Sequence, residues 1–155
     1  MTKAALILSS LEETRRRSLL LWRGLPAGFY DWKPDTDAMS AIEMIRHVLQ
    51  ADYGWNKIIL NEDMSNYSTP WEGRPFESIE DEIQFAQPYR EQFLNTVKSF
   101  SEIELAENVV IHPGNGQKKN LAEYLMRVAY HEAVHAGQFL SYLRGIGVTR
   151  PMIWD

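Results

Sequence analysis

Apolar residues recur at helical spacing along four stretches of the chain, with clear punctuation between them. In residues 3–23, Ala4, Ile7, Leu8, Leu11, Ser18, Leu21 and Trp22 share one stripe, the pattern of an amphipathic helix. Gly24, Pro26 and Gly28 close it, and Trp32-Lys33-Pro34 leads into a turn. A second helix opens at Ser40, with Glu43 three residues on as a reciprocal cap, and reaches about residue 61. Residues 67–76 hold Pro70, Gly73 and Pro75 and form a loop carrying Trp71. Ser78 and Asp81 then open a third helix, which extends to about residue 100. Residues 101–107 add a short helical turn, and Pro113-Gly114-Asn115-Gly116 predicts a turn within a small hairpin over 109–119. The fourth helix starts at Asn120, with Glu123 in the reciprocal position, and runs to about residue 144. Gly145 and Gly147 suit its C-terminal cap, and Pro151 forbids continuation.

No repeat and no long strand alternation interrupts this series. Four helices of about 20 residues predict an all-α fold, a four-helix bundle. At 155 residues the expectation is one domain spanning 1–155. A chain of that size buries roughly 68–70% of its unfolded surface, enough for its own core.

Composition narrows the function. Sixteen Lys and Arg against 21 Asp and Glu give a net charge of -5. This argues against a nucleic-acid partner, whose phosphates are neutralised by basic residues. The Arg15-Arg16-Arg17 run does not reverse that balance. Glu12 and Glu13 stand four residues before Arg16 and Arg17, so the run is read as a solvated, ion-paired helix face. The chain has no Cys, which removes disulfides, thiolate ligands and cysteine nucleophiles and fits a reducing cytosol. No apolar run approaches the roughly 18 residues of a membrane span. Residues 1–11 make a poor signal peptide, so the expected location is cytoplasmic, without membrane contact.

The candidate chemistry lies on the fourth helix, in His131-Glu132-Ala133-Val134-His135. Residues four apart point the same way, and both imidazoles share the stripe of Leu121, Tyr124, Val128, Phe139 and Tyr142. Charged, they would repel one another in a low-dielectric site. A divalent cation removes that conflict by using the neutral rings as ligands. His47 shares a ridge with Met44, Val48, Ala51, Trp55 and Ile58; at this level a third ligand and a core histidine are equally open for it. His112, beside Pro113 in the turn-rich segment, is expected to be exposed and outside the site.

The segment also matches H-E-x-x-H, in which the glutamate of a metalloprotease acts as general base. That reading needs a further downstream ligand. After His135 the chain has no His or Glu and only Asp155, and the longer protease signature is absent. Glu132 is therefore read as a residue bonding another helix before it is read as a base. Gln138, one turn beyond His135, is placed to orient a ligand ring, and Trp55 to wall a substrate pocket.

Several segments together resemble the DinB/YfiT-like superfamily. They are Ile45-Arg46-His47-Val48-Leu49-Gln50-Ala51-Asp52-Tyr53-Gly54-Trp55, then His131-Glu132-Ala133-Val134-His135-Ala136-Gly137-Gln138, with Trp32-Lys33-Pro34 before them and Leu143-Arg144-Gly145 after. The resemblance covers nearly the whole chain. It implies a bundle, commonly a homodimer, in which His47, His131 and His135 hold one divalent metal. Its characterised branches are metal-dependent thiol transferases or isomerases using low-molecular-weight thiols such as bacillithiol or mycothiol. The implied partners are therefore a small thiol and a small electrophile. Three imidazoles leave an open coordination position, as catalytic sites do, and a metal-coordinated thiol loses its proton. Zinc, nickel or iron(II) all suit such ligands. The alternatives are a non-catalytic metal- or small-molecule-binding bundle, in which the metal ties two helices together, and a metal-dependent hydrolase of the H-E-x-x-H type.

Overall fold

The helix starts follow their caps in the computed structural model of the chain, which describes residues 1–154. Asp155, the one carboxylate downstream of His135, lies outside the described residues. Thr2 caps α1 (Lys3–Arg23). Ser40 and Glu43 form the reciprocal box that starts α2 (Ala41–Ile59). Ser78 accepts from the Asp81 N–H at the start of α3 (Ile79–Ser99). A second box, Ser101 with Glu104, opens the short α4 (Glu102–Glu107). The predicted hairpin is present: β1 (Val109–Ile111) pairs antiparallel with β2 (Lys118–Asn120), Val110 opposite Lys119. Asn120 then caps α5 (Leu121–Ile146), which ends on Gly147 at φ 84°, a left-handed conformation that glycine adopts without strain.

α1 packs beside α5 and α3, and α2 beside α3 and α5, so the four long helices form an all-α bundle with α1 and α2 diagonal. The 24–40 segment seats on the end of α5. A Cβ at Gly145 would come within 2.8 Å of the Trp32 ring, and the Tyr142 hydroxyl donates to the Met39 carbonyl at 2.8 Å. Among the described residues, no helix is long and apolar enough to cross a membrane.

The core is divided. One apolar cluster gathers Trp22, Ile45, Leu49, Phe139 and Leu143. The other gathers Leu11, Phe93, Val97, Leu105 and Leu125, closed at its end by Val110 of the hairpin. Between them each long helix contributes one buried charge: Arg15, Asp52, Arg90 and Glu132, all at most 8% exposed. Arg15 corrects the reading of its run as a solvated face. Position 15 follows Leu11 by four and precedes Ser18 and Trp22 by three and seven, so it lies on the core stripe. Arg16 and Arg17 do keep to the surface side and pair with Glu13.

Candidate metal centre

α2 contributes His47 and α5 contributes His131 and His135, and the three rings meet between the two helices. The His131 Nε2 lies 3.1 Å from the His47 Nε2 and 3.2 Å from the His135 Nε2. All three candidate ligand atoms lie within 4.8 Å of one another. Antiparallel packing brings residue 47 level with the turn 131–135, and the i, i+4 spacing stacks the two α5 rings toward it. His112 is not part of the cluster. It is half-buried rather than exposed, because the hairpin lays its ring 6.3 Å from Tyr124.

The protonation pattern prepares these atoms to donate electron pairs. Gln138 Oε1 lies 2.7 Å from His135 Nδ1. An amide oxygen only accepts, so Nδ1 carries the proton and Nε2 presents its lone pair. Burial, then the neighbouring His135 and His47, push the His131 imidazole down to about 4. Burial and His135 also lower His47. Both rings are therefore neutral at pH 7. Among the described residues, the only polar neighbours of the three Nε2 atoms are one another. Two neutral lone pairs facing each other lack a proton to share in at least one tautomer, whereas a cation engages all three. Nitrogens about 2.0–2.1 Å from one tetrahedral ion are about 3.3 Å apart, close to the two spacings that His131 makes. The donor set fits a divalent ion.

The surroundings are asymmetric. On one flank, an open cleft of about 500 Å³ runs past His47 and is lined by Lys33, Asp37, Glu43, Arg46 and Gln50. On the other, the Trp55 ring stands edge-on to His131 with centroids 5.8 Å apart.

Glu132 takes no part in this centre. Arg15 Nε donates to its Oε1 at 2.7 Å, and an Arg15 terminal nitrogen donates to its Oε2 at 3.1 Å. Burial would raise its pKa, but the guanidinium of Arg15, with Arg90 beyond, holds it below the usual carboxylate range. The same Arg15 nitrogen reaches Asp52 at 3.1 Å, and Arg90 donates to the other Asp52 oxygen at 3.0 Å and to the Leu11 carbonyl at 2.7 Å. Sequence reasoning missed Arg15, Asp52 and Arg90. The signal was present, since each sits in phase with the apolar residues before and after it on its own helix.

The sequence matches the DinB superfamily over residues 10–139, a span that includes all three histidines. The uncharacterised protein YjoA of Bacillus subtilis (strain 168) is 25% identical over 120 residues, covering 77% of this chain and 75% of that protein. The crystal structure of a DinB-like protein, YjoA from Bacillus subtilis, superimposes with a TM-score of 0.70 at 23% identity. That superposition covers 96% of this chain and 97% of the other, and is a likeness of fold. With the match spanning most of its length, the chain belongs to the DinB superfamily.

Proposed function

We propose that this protein is a metal-dependent thiol transferase, joining a low-molecular-weight thiol to a small electrophile at a divalent ion on His47, His131 and His135. The observation that carries the reading is the set of three converging Nε2 atoms, without other polar partners among the described residues, beside an open cleft. When bound, the ion would supply the acidity that strips a thiol of its proton near neutral pH. The chain's own residues do the rest. Gln138 holds the Nδ1 proton and so fixes the His135 ring. His131, with its low basicity, stays a ligand and takes no proton. The cleft beside His47 lets the thiol enter and its proton leave to solvent. A carbon–sulfur bond forms at the electrophile, and the leaving group departs with the bonding electrons.

Hydrolysis with Glu132 as base finds no support, because both its oxygens are bonded to Arg15 inside the bundle. The homodimer implied by the resemblance and the cytoplasmic location expected from the sequence belong to the same proposal. For a second copy, the outer side of α1 and α5 offers exposed Leu6, Met126, Tyr130 and Val134, and sedimentation at two concentrations tests it.

The deciding experiment loads the protein with zinc, nickel or iron(II), measures metal content, and follows conjugation of a small aryl halide by bacillithiol or a similar thiol. One ion per chain and turnover that disappears in His47→Ala are expected. Full loading without turnover for any thiol would leave the non-catalytic binding protein; failure to load would end both readings.

A further inference from the structure

The face of α2 that carries His47 continues past it. Ala51, Gly54, Trp55 and Ile58 follow at +4, +7, +8 and +11, which places them on the same side of the helix. With Met64 and Tyr67 from the 60–78 loop they line an open hollow of about 140 Å³. The loop closes tightly there, since a Cβ at Gly54 would lie 2.9 Å from the Tyr67 hydroxyl oxygen. Trp55 is the shared wall. It lines this pocket, and its ring stands 5.8 Å from the His131 ring. The histidine cluster thus separates two unlike surfaces along α2. Toward the N-terminal end lies the cleft with Lys33, Asp37, Glu43 and Arg46. Toward the C-terminal end lies a hollow with an almost wholly apolar surface and no charged residue in its lining.

Such a division suits two co-substrates of different character. A charged group would lose hydration without a partner on the Trp55 side, whereas the other cleft offers both signs of charge. A hollow of roughly 150 Å³ accepts one benzene ring, so this one holds a single ring or a short branched alkyl group. Resting on the functional reading above, we propose that the Trp55 pocket seats the apolar group of the electrophile, while the charged body of the thiol occupies the cleft beside Lys33. The electrophiles of this protein then carry an aromatic or short alkyl group within about one ring's length of the reacting atom.

Binding can test this without turnover. Acetohydroxamate and benzohydroxamate share a metal-binding head and differ in a methyl against a phenyl group. Calorimetry on the zinc-loaded protein should show benzohydroxamate binding at least about tenfold tighter. Ala51→Leu, which fills the pocket from the helix, should erase that preference and leave acetohydroxamate unchanged. Met64→Trp, which fills it from the loop, should do the same and covers the case in which the helix variant fails to fold. Equal affinity of the two hydroxamates, or a phenyl preference that survives both fillings, would overturn the pocket assignment and leave the metal reading standing. If neither hydroxamate binds although zinc is retained, there is no open position and both proposals fall.

Discussion

Two neighbouring residues on α5 stand for two opposite treatments of a polar side chain in the same bundle. Glu132 belongs to a layer of two cations and two anions in which every carboxylate oxygen has a guanidinium partner. His131 belongs to a cluster of three like groups whose ligand atoms face only each other. The layer is buried, neutral as a set and complete. The cluster is half-buried, beside a cleft, and lacks one component of opposite sign. Completeness is what marks the first as structure and the second as a site. An H-E-x-x-H sequence merges the two, because one helical step, about 100°, turns Glu132 from the metal stripe toward Arg15.

The largest test of this contrast breaks the layer. Arg15→Met leaves Glu132 and Asp52 as buried carboxylates short of a counter-ion, which costs about 3–5 kcal/mol. His131→Ala, at the adjacent position on α5, should change the stability of the metal-free protein by under about 1 kcal/mol, since its Nε2 meets only the two other half-buried rings and no charged partner. Urea unfolding in the presence of chelator measures both. Similar costs for the two variants would erase the distinction between layer and cluster.

Adding the missing component should narrow that gap. A metal that binds only the folded chain stabilises it by about 2.7 kcal/mol at a hundredfold excess over its dissociation constant, or about 5–10 °C for a domain of this size. Chelation should remove that increment from the wild type. It should leave His47→Ala and His131→Ala unmoved. A melting curve indifferent to chelator after confirmed loading would show that the three rings form no tight site.

The two regions also differ in how legible they are from sequence. The bundle, its caps and the hairpin follow from periodicity and from Ser40, Ser78 and Asn120, because those signals are local. His131 and His135 are visible because they repeat at i, i+4 on an apolar stripe, whereas His47 on its inward ridge stays open between ligand and core residue until the family resemblance adds it. The charged layer is not legible in this way, although Arg15, Asp52, Arg90 and Glu132 all lie in phase with core positions. A single charge on an apolar stripe looks like the end of the stripe until its partners, 37 and 117 residues away, are known. Only the packing of four helices shows that four such interruptions stand at one level.

Within the cluster, the bond from Gln138 sharpens the comparison, being its one supporting hydrogen bond from outside the triad among the described residues. Gln138→Leu frees the His135 ring to turn and to change tautomer, which weakens metal affinity by about 10–100-fold. Gln138→Glu keeps an acceptor and should restore most of it. Competition with a zinc indicator gives both numbers. Equal affinities for wild type and the leucine variant would remove Gln138 from the site.

Acid should find the cluster through its basicity. His131 is held at about 4 against an ordinary 6.5, so the unfolded chain takes up a proton there before the folded one does. The stability tied to the neutral ring is whole above pH 6.5, declines as pH falls below it, and is gone below about 4. Discounted for the water that reaches a half-exposed ring, this amounts to about 1–2 kcal/mol in the metal-free protein. Subtracting the profile of His131→Ala isolates it from the acid response of the carboxylates. Parallel profiles between pH 6.5 and 4 would show that the ring titrates normally.

The smallest effect comes from the residue next to Arg15. Arg16 carries the same charge in the same helix, yet its side chain is 40% exposed and its partner Glu13 47% exposed. Both ends of that pair remain hydrated, salt screens it, and holding two flexible side chains together offsets much of the attraction. Arg16→Gln should therefore shift stability by no more than about 0.5 kcal/mol, and that shift should shrink as salt is raised to 1 M. The cost of Arg15→Met should persist at the same salt, because ions do not enter a layer this buried. The pair of variants compares two arginines with one charge and one helix in common. If Arg16→Gln proves as damaging as Arg15→Met, the division of the run into one core position and one surface position fails, and with it the argument that phase along the helix, rather than charge, decides what an arginine does here.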